Sequence, residues 1–289
     1  MDTLVIEIDG TLSSASTLFL TSAGLTLIFG AMRVINLAHG SFYMYGAFLM
    51  TSLVGFTTGS RFWWAVPLSA LLVALLGAAT EVGVIRRIYG KEHLTQLLAT
   101  YALFLIFADA ALRIWGSDAR AVPFPQAFFG SISIAGTAIP KYHLVVVGTA
   151  IAVGLGLAVL LKWTSLGWKI RAAVDDPELL AAGGVNVQRL FTLVFALGAF
   201  IAGLAGAVVS PQIGVSPGID ASIIVFAFIV TVVGGLGSIL GAAVGALVIG
   251  ASETLGARVA EDWATVFPYV AMIVILWVRP WGLFGTPER

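Results

Sequence analysis

Asn36, His39 and Gly40 lie within "AMRVINLAHGSFYMYGAFL" (31–49), between two strongly apolar runs. Polar groups beside lipid-soluble chain are expensive, and by default they are functional candidates. Unpaired N–H groups at a broken helix end suit a carboxylate, and free carbonyls suit an ammonium. A break of this kind therefore fits the lining of a path for a small polar solute. A second interruption, Gly234, Gly235, Gly237 and Ser238 in "GGLGS", lies in the last third of the chain. Interrupted spans in the two halves of a chain point to a translocation path in many transporters. Both groups are accordingly path or gate candidates. With the orientation derived below, Asn36, His39 and Gly40 are expected in a tight turn between two spans near the inner face, connecting and capping two helices beside the inner gate.

The other ionisable or amide groups in apolar runs are Glu81, Gln96, Asp109 and Glu253. Glu81 is about one turn from Arg86, and Asp109 and Arg113 are spaced i, i+4, so ion pairs are expected there. Other chemistries find no support. The chain has no cysteine, and His39, His93 and His143 form neither HxxxH nor HExxH, so no metal site is expected. A phosphate loop needs a lysine after its glycines, and "GGLGS" has none. This chain is therefore not expected to hydrolyse ATP in the usual way or to hold a cofactor, and any energy it uses must come from a partner or an ion gradient. The formal net charge is zero and no basic patch is interleaved with aromatics, which argues against nucleic acid.

The elements that must position these residues are membrane spans. Of the 289 residues 59% are hydrophobic and only 10% charged, against about 25% charged in a soluble domain; mean hydropathy is +1.02. The composition predicts an all-α, polytopic bundle in contact with membrane lipid, a single transmembrane domain over 1–289. Spans are expected over about 16–33, 38–57, 62–85, 94–114, 143–161, 190–210 and 264–279, with one long apolar block over 219–256. As one helix that block would reach about 57 Å, nearly twice the hydrocarbon thickness. It must break, and "GGLGS" is the obvious place. The count is then about nine spans, or about eight if one half is re-entrant.

With the start of the chain outside and nine spans, the inner segments hold ten cations, Arg33, Arg86, Arg87, Lys91, Lys162, Lys169, Arg171, Arg189, Arg279 and Arg289. The outer ones hold five, Arg61, Arg113, Arg120, Lys141 and Arg258. The positive-inside rule favours that orientation, with the C-terminus in the cytoplasm. The largest inner loop is then 162–189. In it Asp176 suits an N-cap, Pro177 the first helical position and Glu178 the positive helix end. Leu179 and Leu180 continue a short helix that Gly183 and Gly184 can end. A helix of about two turns is marginal alone, so it rests either on its own bundle or on a cytoplasmic partner.

Four blocks, "GLTLIFGAMRVINLAHGSFYMYGAFL", "RAAVDDPELLAAGGVNVQRLFTLVFALGAFIAGLAGAV", "GGLGSILGAAVGALVIG" and "RPWGLFG", together resemble the branched-chain amino-acid ABC transporter permease family, LivH type. The likeness implies a bacterial inner-membrane importer subunit. Its implied partners are a second permease of LivM type, two cytoplasmic ABC ATPases that hold ATP and Mg, and a periplasmic substrate-binding protein. It also implies that the loop segment from Ala173 through Asp175 and Asp176 to Gly184 couples to an ATPase. Members similar in these blocks carry branched-chain or other amino acids, amides, urea or aromatic acids, and the binding protein usually sets the choice. The competing expectation is an ion-coupled carrier working alone, which needs a coupling carboxylate at mid-membrane. An intramembrane enzyme lacks a GxSxG or HExxH in any span.

Overall fold

The computed structural model describes residues 2–55, 61–134 and 136–285. The helices are α1 (Asp2–Met32), α2 (His39–Val54), α3 (Arg61–Gly83), α4 (His93–Trp115), α5 (Lys141–Trp163) and α6 (Ser165–Asp175). They continue with α7 (Pro177–Ala182), α8 (Val187–Val209), α9 (Ile219–Gly234), α10 (Ile239–Val259) and α11 (Phe267–Val278). A short antiparallel hairpin, β1 (Ser131–Ile134) and β2 (Thr137–Pro140), sits in the long connection before α5. Nothing in the sequence reading anticipated it.

Among the described residues, seven helical segments are long and apolar enough to cross a membrane. α2 and α9 have sixteen residues each, about 24 Å of helix, which is short of the hydrocarbon core of roughly 30 Å. Together these segments occupy the nine positions expected. The 219–256 block does break at "GGLGS", where Gly235 (φ 103°) and Gly237 (φ 82°) take backbone angles that favour glycine. α1 is longer than the span expected from residue 16, because it is helical from Asp2 onward. Two acids in this first part are paired. Glu7 meets Arg258 and Asp9 meets His143 (2.8 Å), tying the helix to α10 and α5.

One face of the bundle, here the loop face, gathers the ends of α1, α3 and α5 and the starts of α4, α8 and α10. Gly30 packs on Gly237 there, and Arg86 after α3 bonds to Thr192 of α8. The loop-face starts of α8 and α10 are capped by side chains, Asn186 accepting from Arg189 N (2.9 Å) and Ser238 from Gly241 N (3.0 Å). The opposite face holds Glu7, Asp9 and Trp115, the last donating to Ser52 Oγ (2.8 Å).

The packing order follows residue size. Twelve of the sixteen α2 residues are buried, but only Pro268 of α11, so α2 is central and α11 peripheral. α2 can sit there because glycines strip the side chains from its contacts. Gly46 meets the backbone of Gly203 on α8, Gly206 meets that of Tyr43, and Gly24 of α1 meets that of Gly198. Close backbone approach at small residues is how helices associate when lipid gives no hydrophobic drive. The spacing of Ala199, Gly203 and Ala207 thus marks packing.

Candidate functional site: two helix starts meeting inside the bundle

The chain between α1 and α2 is where expectation and structure part. Arg33, with φ at 51°, is the one non-glycine residue of positive φ among those described. It reverses the chain, and residues 33–38 then run back into the bundle without helix. His39 Nε2 lies 3.2 Å from the carbonyl of Thr21. Thr21 is eleven residues above Met32 on α1, roughly 16 Å along the axis. The expected turn near the membrane face is therefore wrong: Asn36, His39 and Gly40 lie deep in the bundle. The returning chain is held by local bonds. Asn36 Oδ1 accepts from Ala38 N (3.1 Å), the side-chain turn that asparagine favours. Thr100 of α4 donates to the Ile35 carbonyl (3.1 Å).

α9 also begins inside. Asp220, in its first turn, is fully buried and accepts a bond from Ser41 Oγ (2.9 Å). Gly40 lies against the Asp220 backbone and Ile224, so any side chain at Gly40 would part the two helices. α2 and α9 thus meet start to start, with their positive ends converging. Four buried polar atoms here have no partner among the described residues, namely Asn36 Nδ2, His39 Nδ1, Tyr43 Oη and Asp220 Oδ1. Buried polar groups are nearly always paired, so such a cluster calls for a ligand or water. A cavity of about 400 Å3 runs down α1 from Gly10 to Thr21 on the side of the opposite face and reaches Tyr43. At its upper end Ser14 donates to Glu253 (2.5 Å) and His143 faces Asp9. The cavity is a vestibule that ends at Tyr43, about one helical turn along α2 from His39.

The reading from sequence missed Asp220, Ser41 and Tyr43. Asp220 follows Pro217-Gly218 at the edge of an apolar block, where an acid normally marks a span end in water. The second candidate group lies elsewhere. Gly237 packs on Gly30, nine residues below Thr21, roughly 14 Å along α1. Gly234, Gly235, Gly237 and Ser238 therefore form a separate turn at the loop face. The terminal segment covers it, Leu283 N donating to Val233 O (2.8 Å) and Phe284 N to Gly234 O (3.0 Å).

In the loop, α7 is built as expected. Asp176 Oδ1 accepts from Glu178 N (3.0 Å) and Leu179 N (2.9 Å), and Gly184 ends the turn at φ 84°. Gly183 keeps a negative φ of −73°. Leu180 is buried, while Leu179 is 71% exposed beside Glu178. Ala173 and Asp175 belong to a separate preceding helix, α6, where Ala173 is buried. The loop element is thus two helices. The remaining polar groups are structural. Glu81 accepts from Arg86 (2.8 Å), Thr192 (2.7 Å) and Tyr89 (2.6 Å), joining α3 to α8. Burial first, and this bond second, push the Tyr89 hydroxyl well above its usual range. Asp109 and Arg113 pair at 2.6 Å in an exposed position.

Long apolar helices around two short ones that meet inside, with a vestibule above, define a polytopic membrane permease. The chain belongs to the branched-chain amino acid transport system permease family, whose description matches residues 7–276. It is 29% identical over 289 residues to the high-affinity branched-chain amino acid transport system permease protein BraD of Pseudomonas aeruginosa, covering 96% of this chain and 94% of that one. It is 28% identical over 294 residues to LivH of Escherichia coli K12, with 94% and 92% covered. The fructose import permease FrcC of Rhizobium meliloti is 26% identical over 295 residues, covering 96% of this chain and 76% of that one. No solved structure matches the chain significantly.

Proposed function

We propose that this permease forms half of the membrane path of a binding-protein-dependent ABC importer for branched-chain or closely related amino acids. The observation that carries the reading is the start-to-start meeting of α2 and α9. It leaves an acceptor at Asp220 Oδ1 and an amide donor at Asn36 Nδ2, buried and unpartnered, an acceptor for the ammonium of a zwitterion and a donor for its carboxylate when it leaves water. The vestibule supplies the approach. The names of the similar BraD and LivH proteins favour branched-chain amino acids.

The loop face is taken as cytoplasmic. By topology it carries nine of the ten cations assigned to the inner side, and Arg289 lies outside the described residues. The start of α1 then faces the periplasm of a bacterial inner membrane, and the vestibule receives solute from a periplasmic binding protein. α7, following α6, presents Glu178 and Leu179 to a cytoplasmic ABC ATPase, two of which hold ATP and Mg. A second permease of LivM type completes the path. Isolation of the chain with its neighbours in a membrane extract tests this. Co-purifying ATPases, and leucine uptake that needs ATP and binding protein, are expected. Gradient-driven uptake by this chain alone would overturn it.

A further inference from the structure

A second cavity, of about 420 Å3, lies beneath α6 at the loop face, within the size range of small-molecule sites, roughly 300–1,000 Å3. It is not the inner end of the vestibule. The vestibule touches residues 10, 13, 14, 17, 18 and 21 of α1, whereas this cavity touches 26, 27, 30 and 31, lower on the helix. At 3.6 residues per turn the two sets point roughly 140° apart. Its walls are aliphatic, with Leu27, Leu161, Ile170, Val174 and Ile239 from four helices. Two opposite charges on one face of α6, Arg171 and Asp175, stand at its exposed rim.

That spacing normally yields an ion pair, yet none forms here among the described residues. Arg171 is drawn instead to the Leu161 carbonyl, at the end of α5. A guanidinium has five N–H groups. One is used, and among the described residues neither the others nor the Asp175 carboxylate has a protein partner. The mouth thus offers a donor fork and an acceptor about one helical turn apart, over an aliphatic pocket. A free aliphatic amino acid matches it group for group. Its carboxylate meets Arg171, its ammonium Asp175, and its side chain the pocket.

We propose that this cavity is a cytoplasmic binding site for the imported amino acid, and that its occupancy slows import. The proposal rests on the importer reading above. An occupant would touch α1, the coupling helix α6 and the α9–α10 turn at Gly237 together. Inhibition follows if transport must change the spacing of these three, because a ligand holds back whichever state it does not fit.

The test uses the complete transporter in proteoliposomes, with binding protein outside and ATP with or without L-leucine inside. Internal leucine is expected to lower the initial uptake rate by about fivefold or more, and leucinol, which lacks the carboxylate, to leave it unchanged. Arg171→Gln and the cavity-filling Leu161→Trp should each abolish the inhibition, every rate being compared with the same variant's rate with no internal amino acid. Radiolabelled leucine should also bind the purified complex without binding protein, saturably, with loss in Arg171→Gln and retention in Asp220→Asn. Uptake without such binding or inhibition overturns the proposal. So does binding that Asp220→Asn removes and Arg171→Gln spares, which would place the leucine in the path. So does a phospholipid held in the cavity that leucine does not displace. Binding on Arg171 in a complex that imports no leucine would overturn the proposal as a site for the imported amino acid.

Discussion

Asp220→Asn separates a path residue from a brace. Asparagine keeps an oxygen that can accept from Ser41, which now bonds Asp220 Oδ2 at 2.9 Å, so α2 and α9 stay joined. What it loses is the charge on Oδ1, the buried atom with no protein partner. If the substrate ammonium meets that atom, the lost contact is a hydrogen bond to a charged group, worth about 1.5–3 kcal/mol. At 1.36 kcal/mol per tenfold, uptake at limiting solute should fall by about 10- to 100-fold. The assay is initial uptake in proteoliposomes per assembled complex, with the thermal midpoint measured on the same preparation. Asp220→Ala is the control for the brace. It leaves the Ser41 hydroxyl buried and unpaired, which costs about 1–3 kcal/mol, so its midpoint should drop where that of Asp220→Asn holds. Uptake by Asp220→Asn within about twofold of wild type would refute the reasoning, because a gap that small is under 0.5 kcal/mol.

Two further changes probe the loop face. Glu81→Ala removes bonds from Tyr89 and Thr192 to a fully buried carboxylate, each about 1.5–3 kcal/mol, so the thermal midpoint should fall by several degrees; an unchanged midpoint would show that α3 and α8 are held by glycine packing alone. Asp176→Ala removes the acceptor of two N–H groups in a six-residue helix, a loss of about 0.5–2 kcal/mol; the bundle should keep its midpoint while ATP-driven uptake drops, and wild-type uptake would argue against docking through α7.

Much of the fold was legible because lipid imposes few choices. A 38-residue apolar block cannot be one span, and the glycines of "GGLGS" name the break, where Gly235 and Gly237 take positive φ. Asp176-Pro177-Glu178 writes a helix start that needs no tertiary help to recognise, and α7 begins there. The extra length of α1 was not legible. Glu7 and Asp9 interrupt the apolar pattern before residue 16, and their partners Arg258 and His143 are far off in sequence. The same limit hid the division of the loop into α6 and α7, since Ala173 is buried by tertiary contacts that leave no local signal.

The site was half legible for a reason that concerns depth. A hydropathy reading assumes that every helix starts at a membrane face, so a polar residue near a span end is assigned to water. That assumption put Asn36 and His39 in a surface turn and passed over Asp220 altogether. It fails where the chain re-enters the bundle before it coils. The price of re-entry is a run of backbone without helical bonds, and this is tolerable only inside protein or beside a polar cavity. Ile35 and Asn36 meet that condition through Thr100 and the turn to Ala38. The clue was length. α2 and α9 are each too short for the core they stand in, so each must begin or end away from a face. A short apolar helix led by an acid or amide therefore places that group deep within the membrane. On that rule "INLAHG" and "PGID" belong to one site, although 180 residues separate their numbering.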